Sequence, residues 1–252
     1  MGQEELKELE HRKKLYEEEL SEETEEDYGR ILDRIKNIKK EEEQSREIYG
    51  DNLVFKCNWN DAGWKKICSK KARDYNISKD RTWCCDKRNE CARLIKENKK
   101  EFPCYESLLF KEFSMGPGTN LGGKKDMEPR FIRGSRPGKL AFLTTVAPEM
   151  DGKDRYFIGL LDIKEIKNEQ EVIGNKETSI VINPSIKLKF WDYYKNKDES
   201  KQWGSSLFRY LSDEVALIIL EDLKKEYDKL KGFEKEKENL NGLIERYKKY
   251  LE

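Results

Sequence analysis

The feature that most constrains the fold is a pair of apolar, strand-forming runs in the middle of the chain. The first run spans Leu140 to Val146, and the second spans Tyr156 to Ile166. The segment between them, Pro148 to Lys153, contains Pro, Asp and Gly, which favour turns. Because two such runs joined by a turn segment are typical of an antiparallel pair, we predict a β-hairpin at the centre of a small sheet. Further short strands are expected at residues 107–113, 172–173, 179–182 and 187–193.

Helical patterns flank this middle part. Charged residues make up 40% of the 252 residues and hydrophobic residues only 36%, so apolar burial cannot be uniform along the chain. Apolar residues recur at helical spacing over residues 3–48, and Ser212 precedes a helix with a wide apolar face. We therefore expect an α+β fold in three parts. These are a helical arm similar to a coiled-coil hairpin over residues 1–50, a Cys-rich and β-containing recognition domain over 51–211, and a pair of C-terminal helices over 212–252 that pack on the core.

Six cysteines lie close together in the chain: Cys57, Cys68, Cys84, Cys85, Cys91 and Cys104. Their spacing lacks the two C-x2-C pairs of a zinc ribbon, but four of them on converging loops can hold zinc or an iron–sulfur cluster. We expect such a metal to be structural. The alternative is a set of buried free thiols, because cysteine packs as a small hydrophobic residue. A His-ligated catalytic zinc is not expected, since His11 is the only histidine.

A basic segment precedes the hairpin. Phe131 lies among six cations within a Gly- and Pro-containing stretch: Lys124, Lys125, Arg130, Arg133, Arg136 and Lys139. Cations interleaved with an aromatic residue are typical of a nucleic-acid-binding surface, and the alternative is an ordinary solvated loop. Trp59, Trp64 and Trp83 lie in a second Lys- and Arg-rich region, where they can stack on bases or belong to the core.

One pattern allows a catalytic interpretation. Asp162 and Lys164 form a D-x-K sequence near the end of the second apolar run, as in many Mg²⁺-dependent nucleases. An upstream acid, Glu149, Asp151 or Asp154, would complete the metal site. Because D-x-K is short and the chain is rich in both residues, the sequence favours binding over catalysis. The nuclease is kept as an alternative.

Two stretches resemble known domains. The pattern PGKLAFLTT…KDRYFIGLLDIKEI is similar to a strand pair of PUA-like, EVE and YTH-type domains, and CNWNDAGWKKICSK resembles a Cys/Trp segment of multidomain DNA-processing proteins. Such domains occur in prokaryotic modification-dependent restriction proteins and defence helicases. The resemblance covers residues 53–210 and implies a bent, mainly antiparallel sheet, a basic rim and an aromatic pocket for a flipped base, to which Trp191 and Trp203 can also contribute. The cysteine cluster and the helical arm depart from a minimal PUA-like domain.

Together these patterns predict a nucleic-acid-binding module that recognises DNA or RNA, with modified DNA in a restriction or antiviral defence context as the preferred ligand. An ATPase or nuclease subunit is the expected partner. The alternative from another class is a protein-interaction subunit whose fold is stabilised by a bound metal and which forms a homodimer through the arm. No long apolar run and no secretory signal is found, so we expect a cytoplasmic protein with no membrane partner.

Overall fold

The computed structural model describes residues 52–79, 84, 105–120, 123–126, 128–196, 201–204 and 206–252. All of these residues lie within one compact unit, Tyr49–Glu252. The predicted helical arm over residues 1–50 lies outside the described residues, and so do Trp83, Cys85, Cys91 and Cys104.

Within the described residues, seven strands form one open, mixed sheet. In chain order they are β1 (Asn52–Lys56), β2 (Ser114–Met115), β3 (Leu140–Thr145), β4 (Tyr156–Lys167), β5 (Glu171–Gly174), β6 (Ile180–Val181) and β7 (Phe208–Leu211). The strand order is β2-β5-β4-β3-β1-β7, and β6 also pairs with β4. The β1–β3 pairing is parallel, and the other pairings are antiparallel. The α+β class is therefore confirmed.

The predicted hairpin is present at the centre of this sheet. Strands β3 and β4 pair from Leu140 opposite Asp162 to Thr145 opposite Tyr156, with a register shift after Leu143. A short 3-10 turn, Gly152–Asp154, lies in the connection. The first part of β4 is buried on both faces, which is why its sequence begins as a continuous apolar run and becomes charged only later.

The described residues contain the helices α1 (Lys70–Ser78), α2 (Tyr105–Leu108), α3 (Asp213–Asp228) and α4 (Glu234–Leu251). Helix α3 begins as predicted, because the Ser212 side chain accepts a hydrogen bond from the Val215 N–H. Helices α3 and α4 pack on one face of the sheet, where Tyr227 and Tyr247 join the core formed by Val54 and Phe142. The predicted C-terminal helical pair is confirmed.

A second core lies on the other face of the sheet. Leu53 and Phe55 of β1 point to this side, opposite to Val54, and pack with Trp64, Phe110 and Leu161. Strand β1 is therefore covered on both faces. None of the helices in the described part of the chain is long and apolar enough to cross a membrane.

Two predicted strands are wrong. Residues 107–113 form the end of α2 and a π-helical turn, Leu109–Phe113. Residues 187–193 contain the 3-10 turn Phe190–Asp192 instead of a strand. Both segments are short apolar runs, and periodicity alone does not distinguish a strand from a helical turn at this length.

Candidate nucleic-acid interface

The basic segment is an ordered part of the fold. Its two arms are joined by backbone hydrogen bonds, from Asn120 N–H to Glu128 O at 2.8 Å and from Arg130 N–H to Gly118 O at 3.0 Å. The tip contains a 3-10 turn, Gly123–Lys125. The backbone of Arg130 is therefore held against the opposite arm.

Tyr210 connects the basic segment to the sheet. Its hydroxyl accepts a hydrogen bond from the Arg133 N–H at 3.2 Å and donates one to the Arg133 carbonyl oxygen. Tyr210 belongs to β7, which pairs with β1 at the end of the strand order. The backbone of Arg133 is thus fixed to the edge of the sheet, while the Arg133 side chain is exposed.

The charge of this surface is positive. Lys124, Lys125, Arg133 and Arg136 are exposed, and Arg130 is half-buried with its Nε donating to Asn120 Oδ1 at 3.1 Å. Residues 123–136 contain five basic and two acidic residues, hence a net charge of +3. We call these five cations, together with Phe131 and Tyr210, the basic face.

Two aromatic rings on the basic face are exposed to solvent. Phe131 is 42% exposed and Tyr210 is 36% exposed. Sequence reasoning identified Phe131 but missed Tyr210. The sequence of β7 gives no local signal for this exposure, because strand alternation places Tyr210 on the same face as Phe208, which packs against the core.

Lys139 does not belong to this surface, which corrects the sequence prediction. It is only 2% exposed, and its Nζ lies 2.5 Å from Asp213 Oδ2. The same ammonium group lies 4.8 Å from the centre of the Tyr250 ring. A buried ammonium group in an ion pair cannot contact a phosphate, so Lys139 fixes the base of the segment to α3 and α4.

The tryptophans that the structure describes pack in the interior. Trp64 is buried, and its Nε1 donates to Asn58 O at 3.1 Å. Trp59 is half-buried and makes an edge contact with Trp64, with the ring centres 5.7 Å apart. Trp191 and Trp203 are also buried, in the core on the opposite face of the sheet. The expected stacking role of Trp59 and Trp64 therefore has no support from their placement, and the buried Trp191 and Trp203 are packed among other aromatic rings.

The cysteines are described only in part. Cys57 is buried after β1, and burial together with the nearby Glu106 carboxylate raises the pKa of its thiol. Cys68 and Cys84 are half-buried. Among the described residues, no three His, Cys, Asp or Glu side chains are grouped as metal ligands would be. Because Cys85, Cys91 and Cys104 lie outside these residues, the structural metal stays a prediction.

The residues of the nuclease alternative are not brought together. Asp162 accepts hydrogen bonds from Arg246 Nη2 at 2.6 Å and from Thr178 Oγ1 at 2.7 Å, so its carboxylate is already occupied. The candidate upstream acids Glu149, Asp151 and Asp154 precede Tyr156, which lies about 20 Å from Asp162 along the strand. Lys164 is exposed further along β4. The part of the chain that the structure describes therefore contains no group of three His, Cys, Asp or Glu side chains that could hold a metal at Asp162.

The fold and the site together define a mixed α+β domain that presents a basic, aromatic surface beside an edge strand. Comparisons of the chain with models of protein families, with curated proteins and with solved structures found no match.

Proposed function

We propose that this protein is a non-catalytic nucleic-acid-binding module and that the basic face contacts the ligand. The observation that carries this proposal is the pair of hydrogen bonds between the Tyr210 hydroxyl and the Arg133 backbone. These bonds fix the backbone of an exposed arginine beside an exposed ring, on a surface that is locally positive. Neither group forms part of the buried core.

The charges of the basic face make a quantitative expectation possible. Each phosphate that a cation neutralises releases condensed counterions, so the logarithm of the binding constant falls linearly with the logarithm of salt concentration. If all five cations contact phosphates, the slope approaches about −4.5 for duplex DNA and about −3.5 for a single strand. A purely structural loop would give no such dependence.

The wider context of this function follows from the sequence. A PUA-like arrangement of the sheet, recognition of a modified base, and action in restriction or antiviral defence are what the resemblance implies. An ATPase or nuclease subunit in the cytoplasm would then act on the bound nucleic acid. A zinc ion or an iron–sulfur cluster held by cysteines of residues 57–104 would complete the domain. Elemental analysis of the purified protein tests that metal, because a metal-free folded protein would contradict it.

The experiment that tests the proposal measures binding of fluorescently labelled DNA and RNA by anisotropy at several salt concentrations. We expect Arg133→Gln and the double variant Lys124→Gln/Lys125→Gln to weaken binding and to reduce the salt slope. The matched control is Lys231→Gln. Lys231 is exposed in the turn before α4. Tyr250, near the other end of that helix, contacts Lys139 at the base of the basic segment. The 18 residues of α4 separate Lys231 from Tyr250 by roughly 27 Å, so Lys231 lies far from that contact.

The result that would overturn the proposal is equally specific. If no nucleic acid binds, or if Lys231→Gln weakens binding as much as Arg133→Gln, the basic face is not the binding surface. Cleavage of the nucleic acid in Mg²⁺ that is lost in Asp162→Asn would instead establish the nuclease alternative.

A further inference from the structure

We propose that the basic face binds single-stranded nucleic acid in preference to duplex, with the rings of Phe131 and Tyr210 stacking on bases. This inference rests on the proposed function and specifies the class of ligand. It comes from the aromatic side chains of the face, whereas the charge argument above applies to single strands and duplexes alike.

Phe131 is held in an outward position by its neighbours. Ile132 is buried at 2% exposure, and its N–H donates to Glu169 O at 2.7 Å. Since Ile132 points inward, Phe131 and Arg133 on either side of it are both exposed. A phenyl ring therefore lies in solvent on the same short stretch of chain as the exposed Arg133 and the half-buried Arg130.

The ring of Tyr210 is fixed at two points. Its hydroxyl is bound to the backbone of Arg133, and its ring meets the Phe208 ring edge-on, with centres 5.5 Å apart and planes at 86°. A ring that is held in place before the ligand arrives loses little conformational freedom on binding. Tyr210 is thus a preformed stacking surface, bound to the segment that also carries the exposed Phe131.

An undistorted duplex offers no base face to these rings. The faces of its bases are covered by neighbouring base pairs, and its grooves expose only base edges. Direct reading of those edges in the major groove requires an inserted helix or a β-ribbon. In the described part of the basic face, the only helical element is the three-residue turn Gly123–Lys125. The two arms around it share a single antiparallel bridge, Thr119 opposite Pro129, which is shorter than a two-stranded ribbon that reads a groove. The unstacked bases of a single strand can instead lie against an aromatic ring, with the phosphates near the cations.

The test compares three labelled probes: a run of about 12 thymidines, a run of uridines of the same length, and a duplex of mixed sequence. We expect the full-length protein to bind a single strand more tightly than the duplex, and the two single-stranded probes distinguish DNA from RNA. Phe131→Leu should weaken single-strand binding by about fivefold to 100-fold and leave duplex binding unchanged, because leucine is apolar but has no π face. Since Phe131 is exposed, this variant should remain folded.

Two further variants separate the possible failures. Tyr210→Phe keeps the ring and loses the hydroxyl, so it should weaken binding less than Tyr210→Leu does. Arg133→Gln should weaken binding of every probe. If no probe binds, the proposed function itself fails. If the duplex binds as tightly as the single strands, or if Phe131→Leu binds them like the unmodified protein, only the single-strand inference is overturned.

Discussion

The buried ion pair between Lys139 and Asp213 leads to a prediction with a definite magnitude. At 2.5 Å and an effective dielectric constant of about 20, the attraction is about 7 kcal/mol, but removing the two charges from water costs several kcal/mol for each ion. The intact pair therefore contributes little net stability. Removing one partner is different, because it leaves the other charge buried at a cost of about 3–5 kcal/mol.

The two single variants should not lose the same free energy of unfolding. The Asp213 side chain is 18% exposed and also accepts a hydrogen bond from Asn52 Nδ2 at 2.8 Å, so it retains some solvation and one partner when Lys139 is replaced. The Lys139 side chain is only 3% exposed. We expect Lys139→Met to cost about 3 kcal/mol and Asp213→Asn to cost about 4–5 kcal/mol. The loss of an acid from the first turn of α3 adds to the second value.

Urea denaturation of the two variants and of Lys139→Met/Asp213→Asn measures these free energies. For a domain of this size, 3 kcal/mol corresponds to a fall in Tm of about 6–12 °C. The double variant should be less destabilised than the sum of the single variants, since it leaves no unpaired charge. If Lys139→Met costs less than about 1 kcal/mol, or if the free-energy losses of the two single variants add up to that of the double variant, Lys139 and Asp213 are not energetically coupled. Either result would refute the reasoning.

Three further changes should have measurable effects. Gly159→Ala would place a Cβ atom 2.6 Å from Phe110 Cζ, so urea denaturation should show a loss of about 1–3 kcal/mol, and unchanged stability would contradict the close approach. Ser212→Ala removes the cap on the Val215 N–H and should cost about 1 kcal/mol by the same assay, whereas Ser212→Gly should cost a few tenths; equal costs would argue against the cap. Burial raises the pKa of Tyr156 to about 12 from its ordinary 10.0, so the stability that its neutral form provides is complete below pH 10.0 and is lost as pH rises towards about 12. Tyr156→Phe should lose less stability over that window, and identical pH profiles for the two proteins would exclude this contribution.

The parts of the fold that the sequence predicts are those with local signals. The β3–β4 hairpin follows from two strand-forming runs and a turn, and α3 follows from Ser212 and the apolar face after it. No local sequence signal indicates which strands pair with β1. Asn52 bonds to Leu211, 159 residues later, and to Leu140, 88 residues later. Pairings between distant segments depend on the whole core and not on local pattern.

Residues 187–193 contain a 3-10 turn instead of the predicted strand because tertiary contacts determine their conformation. The Phe190 N–H donates to Arg155 O at 2.8 Å, and Trp191 Nε1 donates to Gly152 O at 2.9 Å. These bonds connect the 3-10 turn to the hairpin connection and outweigh the strand propensity of the sequence.

The candidate site was predictable from composition only in outline. Exposed Lys124, Lys125 and Arg133 agree with the expectation for a basic loop. The burial of Lys139 and Trp64 is not visible in sequence, because Lys139 follows a run of exposed cations and Trp64 is followed directly by the exposed Lys65 and Lys66. Tyr210 gains its position beside Arg133 only when β7 pairs with β1.

The position of β1 has a consequence for synthesis of the chain. Asn52 Oδ1 accepts hydrogen bonds from the Leu140 N–H and from the Tyr247 hydroxyl, and the second partner is 195 residues further along the chain. A ribosome must therefore complete nearly all of α4 before β1 has its full set of neighbours. Until then β1 lacks α4, which belongs to the core that covers the Val54 face of the strand in the finished domain. Folding should consequently be slow and largely post-translational, and the nascent chain should depend on chaperones that bind extended apolar segments.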